Sequence, residues 1–370
     1  MKKITIVDPW GKSGLNEYVQ GYVDALLLFT SDITIITNYR STINKKQGIF
    51  LKRKFFKYSE KLTISRNLRL IIRGIEYVIL QLYIAFFTKS KIIHFQWLLF
   101  PTIDIWIIKI LKFRNKTVYY TAHNSKPHNS EIPPKQIQIL QNVDLIIVHG
   151  KIIKNEIKDY GIQESKILIV PHVSKHNYIN KKQTIPKELK QRSFQKKDKI
   201  FLFIGLVNPN KGVKELLEEW GNIFQNKNSP ILIIAGKINP KIKKDIISFR
   251  RKGIIIIDRF LEEEELSFLF HLSNLILMPY KNGSISGVLF NAAAFKKPVL
   301  TSNFGSISEY IVHDCTSFIA KDFQDFQVKL NQLSSTPSAN LEDIGVNNYN
   351  FIDENCSPKK IASILYKYYE

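Results

Sequence analysis

The residues most able to do chemistry collect where short apolar runs end, between Lys199 and Val312. The run Phe201-Leu-Phe-Ile-Gly205 meets the turn Leu-Val-Asn-Pro209-Asn-Lys211-Gly212, and a helical pattern then begins at Val213 and is expected to close at Gly221. A strand, a tight turn and a helix start aim unpaired backbone N–H groups and the positive end of a helix dipole at one point, which favours an anion. Lys211 adds a full positive charge there. Farther along, Tyr280-Lys-Asn-Gly283-Ser-Ile-Ser286-Gly287 leads into an almost wholly apolar helix with Asn291 as its one polar interior residue. A buried amide needs a partner, and a ligand hydroxyl or a neighbouring carbonyl serves equally. Ser286 is placed as an N-cap. Ser306-x-x-Glu309 has the spacing of a capping box, so Glu309 reads as structural or ligand-facing. Glu262 to Glu265 occupy the first turn of a helix running to Ser273, where carboxylates suit the dipole rather than a site.

In the first half, histidine ends the apolar runs: His123 after Thr-Val-Tyr-Tyr-Thr-Ala, His149 after Val-Asp-Leu-Ile-Ile-Val, and His172 after Ile-Leu-Ile-Val-Pro, with His128 five residues beyond His123. Neutral imidazole donates and accepts, which suits sugar hydroxyls and phosphate oxygens. His123 is the residue expected to act; for His149 and His172 a bond to loop backbone is the equal alternative. No carboxylate has helical ligand spacing with these histidines and no Asp-x-Asp pair occurs, so no metal site is expected. The turn Trp10-Gly11-Lys-Ser-Gly14 lets backbone approach a ligand, but it lacks the dinucleotide pattern and is not read as an NAD site.

The elements that must hold these residues form two similar series. Residues 1–175 alternate strands (Lys2–Pro9, Asp32–Thr37, Lys91–Trp97, Thr117–His123, Val143–His149, Lys166–Pro171) with helices at Leu15–Phe29 and Arg66–Phe87. Residues 176–198 are polar and read as a linker. In 199–350 the pattern restarts, with strands at Lys199–Gly205, Ile231–Gly236, Gly253–Asp258, Leu275–Tyr280 and Pro298–Ser302, before a last segment at 351–370. Ile/Val/Leu runs separated by helices indicate parallel sheets covered on both faces, so the expected class is α/β with two doubly wound domains facing a cleft. In such sheets ligands bind beyond the carboxyl ends of the strands. A chain of 370 residues fits two domains.

The net charge is +22, and 17 Lys/Arg against three acids fall between Arg40 and Lys116. There they alternate with aromatics, as in Phe50-Leu-Lys-Arg-Lys-Phe-Phe-Lys-Tyr58, and Arg66, Arg69 and Arg73 repeat on one helix face. Such a face suits an anionic membrane surface as well as it suits solvent. No helix-turn-helix, zinc-finger or RNP-like pattern points to nucleic acid. The longest uncharged runs, Tyr77–Thr88 and Ile92–Ile103, have twelve residues each, against about 20 for a spanning helix, so no bilayer crossing is expected. The four-residue uncharged run before Asp8 falls short of a signal-peptide core, and Cys315 and Cys356 have no metal or disulfide spacing. The expected location is cytoplasmic, peripheral at the inner membrane face.

Taken in order, Gly205…Lys211-Gly212, Ala235-Gly236, Met278-Pro279-Tyr280, Ser286-Gly287-Val288, Lys297-Pro298-Val299 and Gly305…Glu309 resemble the GT-B glycosyltransferases, specifically the large retaining family 4 (glycosyl transferases group 1). Thr121-Ala-His123-Asn124…Pro127-His128 and Val170-Pro171-His172 look like further elements of it, and the likeness covers nearly the whole chain. The resemblance implies that the second domain binds a nucleotide-sugar donor and the first an acceptor. Lys211 would contact the donor diphosphate and His123 the transferred sugar. Gly11 and Gly14 would lie near sugar and phosphate, and Gly205, Gly212, Tyr280, Ser286, Gly287, Asn291 and Glu309 on the donor side. His128, His149 and His172 would line the acceptor side or the cleft, and Ile361–Tyr369 would cross back onto the first domain. The chain departs from many members in having Leu206 for an arginine, and Gly283 and Asn291 for two glutamates.

The implied reaction is transfer of a sugar from a nucleotide diphosphate to an acceptor hydroxyl with retained configuration and no cofactor or metal. The basic region points to a lipid-linked saccharide in surface polysaccharide assembly as acceptor. No acidic pair offers itself as nucleophile and acid, so glycosidase-like double displacement is not expected. The alternatives are a non-catalytic GT-B scaffold subunit, a GT-B nucleotide-sugar epimerase, and a membrane- or nucleic-acid-binding module.

Overall fold

The computed structural model describes residues 3–11, 14–123, 132–174, 179, 182–195, 197–224, 229–250 and 253–370. The chain divides into two compact units, residues 1–173 with 356–370 and residues 174–355.

The first unit is a seven-stranded parallel sheet: β1 (Ile4–Asp8), β2 (Ile33–Asn38), β3 (Ile49–Phe55), β4 (Ile92–Phe95), β5 (Thr117–Thr121), β6 (Leu145–Val148) and β7 (Ile167–Ile169), in the order β3-β2-β1-β4-β5-β6-β7. Its helices are α1 (Gly14–Leu26), α2 (Lys57–Lys61), α3 (Arg66–Phe87), α4 (Pro101–Phe113), α5 (Pro134–Asn142) and α6 (Lys151–Lys158). Period-two alternation divides the core between the two faces. Ile4 and Ile6 pack with Tyr22 and Leu26 of α1, whereas Val7 packs with Ile84 of α3 and Ile108 of α4.

The second unit begins its sheet at β8 (Ile200–Ile204) and continues with β9 (Ile231–Ala235), β10 (Ile254–Ile257), β11 (Leu275–Met278), β12 (Val299–Ser302) and β13 (Phe318–Ala320). The order is β10-β9-β8-β11-β12-β13, again all parallel. Around it lie α7 (Val213–Ile223), α8 (Lys243–Ser248), α9 (Glu263–Leu272), α10 (Gly287–Ala294), α11 (Phe323–Ser335) and α12 (Ser338–Cys356). The last helix, α13 (Pro358–Tyr369), belongs to the first unit, where Ile361, Leu365 and Tyr369 are buried beside α1. In both sheets the strand order reverses beside the first strand, between β1 and β4 and between β8 and β11, and these switch points open the crevices where α/β proteins hold ligands.

Several expectations change. The stretch 50–58 contains β3 and α2. Lys52, Arg53 and Lys54 stand exposed in a row on an edge strand with only Ile49 and Phe55 buried, and lysine-rich edges resist pairing with other chains. Residues 174–198 are counted in the second unit: Leu189 is buried and Glu188 forms paired hydrogen bonds with Arg259, 2.9 Å each. The helix after Lys211 runs through Gly221 to Ile223, because Trp220 beyond its second turn packs on Phe201. At Ser306 there is only a short 3-10 turn, Ile307–Tyr310, with no side-chain cap, so the expected capping box is absent and the buried Ser306 hydroxyl has no partner among the described residues. The box at Glu262 and Glu265 is formed, with both side chains bonded reciprocally.

α3 spans 22 residues with a mean hydropathy of 1.7 in its best window, which is long and apolar enough to cross a bilayer by composition. Counting only uncharged runs underestimates it, because Arg69, Arg73 and Glu76 interrupt an otherwise apolar helix. It packs on the first unit through Tyr77, Gln81, Ile84 and Ala85 and leaves Ile71, Ile75, Ile79, Leu82, Phe86 and Phe87 exposed.

Candidate functional site

In the second unit the crevice between β8 and β11 is bordered by two turns. Gly205, at the end of β8, is exposed, and the chain then passes through the 3-10 turn Pro209–Lys211 into α7. Gly212 caps α7 at φ +66°, and a Cβ there would fall 1.8 Å from the Pro279 carbonyl oxygen, so only glycine lets this turn lie against the one after β11. The Asn210 carbonyl accepts the Lys281 N–H at 2.9 Å, tying the turns together.

This geometry places the Lys211 Nζ 3.6 Å from the centroid of the Tyr280 ring. A cation over an aromatic face is attracted by the ring quadrupole, but the contact supplies no counter-charge. Burial pulls the lysine down to about 8. Other lysines of the second unit are paired: Lys237 and Lys243 face Asp258 at 3.4 and 2.7 Å, Lys214 faces Asp245 at 3.5 Å, and Lys281 pairs with Glu215. Lys211 has no carboxylate partner among the described residues. α7 starts beside it with no side-chain cap. A desolvated cation and an open helix N-terminus at a switch point make a site suited to a multiply charged anion.

Tyr280 is buried, its hydroxyl 3.5 Å from Ser286 Oγ, and burial pushes it up to about 12. Ser286 caps α10, accepting the Val288 N–H at 3.3 Å, and Gly287 is the first residue of that helix. Asn291 on α10 is half-buried, with no side-chain partner among the described residues. Glu309 is half-buried in the 3-10 turn and has a partner. Leu206 is half-exposed and brings no charge to the end of β8.

In the first unit the switch point lies between β1 and β4. Gly11 follows β1 at φ +31°, where a Cβ would meet the Thr37 hydroxyl at 2.2 Å, and its N–H donates to Asp8 Oδ1 at 3.1 Å. Burial raises Asp8 to about 6. Gly14 begins α1. Just past β4, the Trp97 ring stacks on His123 at 4.4 Å and 11°. Tyr18 of α1 sits among three imidazoles, 4.9 Å from His123, 5.1 Å from His149 and 4.9 Å from His172.

The hydrogen bonds fix the tautomers. His149 is buried, and its Nδ1 lies 3.0 Å from the Val170 carbonyl, which can only accept, so Nδ1 carries the proton and Nε2 is an acceptor. His123 Nδ1, 3.3 Å from that Nε2, must therefore donate to it. The other nitrogen of His123, Nε2, is left as an enclosed lone pair with no partner among the described residues. His172 Nδ1 donates to the Val173 carbonyl at 3.1 Å. Burial lowers His123 well below the usual histidine range, with His149 adding to it, and brings His149 to about 4 and His172 to about 3. All three are neutral at pH 7. Among the described residues no three His, Cys, Asp or Glu side chains group to hold a metal.

The structure thus brings His123, His149 and His172 together, with Gly11 at the adjacent switch point. It separately brings together Lys211, Gly212 and Tyr280. His128 lies outside the described residues. Arg73 pairs with Glu60 and covers the Phe56 ring at 5.1 Å, and Arg69 reaches the Leu62 and Ile64 carbonyls; Arg66 and Arg69 are exposed at the start of α3, and beyond them its exposed face is apolar. Trp97, Tyr18 and Asp8 were not singled out by the sequence. Trp97 was findable, since it stands at a strand end as His123 does; Tyr18 lies within a helical pattern with nothing to mark it.

Residues 184–351 match the family described as Glycosyl transferases group 1. Among curated proteins, "Putative glycosyltransferase YtcC" of Bacillus subtilis (strain 168) is 21% identical over 225 residues, covering 56% of this chain and 55% of that protein, so the match spans about half of its length. Among solved structures, sucrose-phosphate synthase (tll1590) from Thermosynechococcus elongatus is similar with a TM-score of 0.76 at 15% identity, over 100% of this chain and 98% of that one. Anabaena Alr3699/HepE in complex with UDP gives 0.71 at 12% identity over 99% of both chains. At these identities the solved structures show a shared fold, GT-B.

Proposed function

We propose that this chain, whose residues 184–351 match the glycosyl transferases group 1 family, moves a sugar from a nucleotide-diphosphate donor to an acceptor hydroxyl with retention of configuration. One observation carries the reading: Lys211, desolvated and without a carboxylate, stands at the start of α7 at the switch point of the second sheet. Glycosyl transfer builds negative charge on the departing diphosphate, and preorganised donors in a low-dielectric site stabilise that charge most. Lys211 and the first N–H groups of α7 supply them, and no metal is required. Asn291 bonds a donor hydroxyl as a neutral amide in place of a carboxylate.

The first unit receives the acceptor and presents His123 to the transferred sugar. Because its Nδ1–H is committed to His149, His123 Nε2 accepts a hydrogen bond from a sugar hydroxyl. An enclosed acceptor left unpaired is destabilising, and the substrate relieves it. The acceptor is a lipid-linked saccharide of surface polysaccharide assembly, with the protein peripheral at the inner face of an anionic membrane. The exposed apolar residues of α3 and the local positive excess support this. HepE structures with UDP and UDP-glucose make uridine nucleotides the first donors to try. The test is nucleotide release from UDP-sugars and other nucleotide-sugars with and without a lipid-linked acceptor. Release that needs the acceptor supports transfer; an acceptor-free change in the sugar indicates an epimerase, and no turnover of any donor indicates a scaffold.

A further inference from the structure

Beside the histidine cluster, the first unit carries an open apolar groove of about 410 Å³ between α3 and the start of α4, lined by Ile71, Gly74, Ile75, Val78, Ile79, Phe100 and Ile103. No polar side chain lines it. Its volume falls within the roughly 300–1,000 Å³ of ligand sites. A polar network fixes its walls from behind: Tyr77 of α3 donates to Asp104 of α4 at 2.7 Å, Gln81 donates to the Tyr77 hydroxyl at 2.7 Å, and Leu99 and Phe100 N–H groups donate to Tyr77 and Asp104 at 3.1 and 2.9 Å. The segment so held, Trp97 to Phe100, joins two places. Trp97 stacks on His123, and three residues later Phe100 lines the groove. Three residues of extended chain reach at most about 11 Å, so groove and histidine cluster are neighbours. Near the Phe100–Ile103 end, Lys135 Nζ reaches the Thr102 hydroxyl at 2.7 Å and has no carboxylate partner among the described residues.

We propose that this groove holds the hydrocarbon tail of the acceptor lipid, with its phosphate toward Lys135 and its saccharide head reaching His123. This deepens, and rests on, the reading of a lipid-linked acceptor. The apolar lining selects a chain of methylene or isoprenoid units, the lysine complements the phosphate at its head, and the Trp97–Phe100 segment sets the distance between tail and reacting group.

Gly74 gives a clean test. A Cβ there meets nothing within 4 Å, so the side chain of Gly74→Phe starts in open space on the groove wall and replaces the poorest helix former but proline. The probes are hexyl, octyl and decyl phosphate below their micelle concentrations, competing with the fluorescent fatty acid cis-parinaric acid on the full-length protein. Wild type should bind more tightly by about three- to fourfold per added methylene. Gly74→Phe should lose that dependence and bind decyl phosphate at least tenfold more weakly, with its melting temperature and its thermal shift by nucleotide-sugar unchanged. Ile75→Ser, at an exposed position, should show the same loss more weakly, and Lys135→Gln should weaken all three probes equally. A chain-length dependence that survives Gly74→Phe overturns the proposal. So does a Gly74→Phe protein whose binding to anionic vesicles and to decyl phosphate rises together, since the face would then be a bilayer contact. If no nucleotide-sugar shifts the second unit, the transferase reading fails whatever the probes do; if donors bind but tails do not, only the groove fails.

Discussion

The Lys211 ammonium lies 3.6 Å from the centre of the Tyr280 ring, and the two residues come from the turns after β8 and β11, the neighbouring strands at which the order of the second sheet reverses. Each link in that placement is local. The apolar strand ends at Gly205, the turn is held against Pro279 by Gly212, and the lysine is carried over the ring as α7 begins. The result is a charge held where water is scarce, at a point prepared for a negatively charged ligand.

Burial lowers the Lys211 ammonium to about 8 from 10.5, so the unfolded chain binds the proton more tightly than the folded one. Below pH 8 the charged lysine therefore opposes folding, and that penalty fades as pH rises from about 8 to 10.5. Lys211→Met keeps the methylene contacts with Tyr280 and removes the charge. Its ligand-free melting temperature at pH 7 should exceed that of wild type by a few degrees, as read by differential scanning fluorimetry.

Catalysis should depend on the same proton. In the free enzyme the cation is lost as pH rises through about 8, so kcat/KM for the donor should fall above that pH, approaching tenfold per unit. Steady-state rates between pH 6 and 10 check this; a flat profile would remove Lys211 from the donor site.

Removing the His123 ring should lower turnover about 10²- to 10⁴-fold while leaving nucleotide affinity within about twofold. His149→Phe keeps the bulk but takes away the acceptor for His123 Nδ1–H, so turnover should fall less, by about tenfold, with KM for the donor little changed. Comparing kcat and KM in the two variants separates contact with substrate from positioning of the ring.

The buried histidines make the first unit acid-sensitive. His94, His149 and His172 are lowered to about 3, 4 and 3 by burial, below the 6.5 of the unfolded chain. The unfolded state takes up more protons in that window, so the stability these neutral rings provide is full above pH 6.5 and is lost progressively toward pH 3 to 4. Asp8, raised to about 6, works the other way between about 3.8 and 6, but one carboxyl opposes several imidazoles. The melting temperature should fall from pH 6.5 to pH 4, less steeply in wild type than in Asp8→Asn, which lacks the opposing gain from protonation of the carboxyl.

Both sheets were legible because most of their strands are unbroken apolar runs, the edge strand Ile254–Ile257 as much as the inner strand Leu145–Val148. The edge strands β3 and β13 were not. β3 reads as a basic, aromatic stretch, and β13 has three residues at the other sheet's edge. Glycine before a helix and lysine in the turn made Lys211 visible, since that chemistry needs only local sequence. The Tyr280 ring under Lys211, and the Trp97 and Tyr18 rings around His123, arise from strand order, which no local pattern encodes. The exposed apolar face of α3 was hidden by its arginines, which are three and four apart in the stripe leading to the packed Tyr77, opposite Ile71, Ile75 and Ile79.

The central claim is that Lys211 binds the diphosphate of a nucleotide-sugar. The most direct measurement is calorimetric titration of UDP, GDP, ADP and their sugar conjugates into wild type and Lys211→Met at pH 7. One nucleotide series should bind wild type at a single site and lose at least tenfold in affinity in the variant, since a charge-assisted hydrogen bond contributes about 1.5–3 kcal/mol. Equal affinity in the two proteins, or no binding of any series to wild type, would contradict the account.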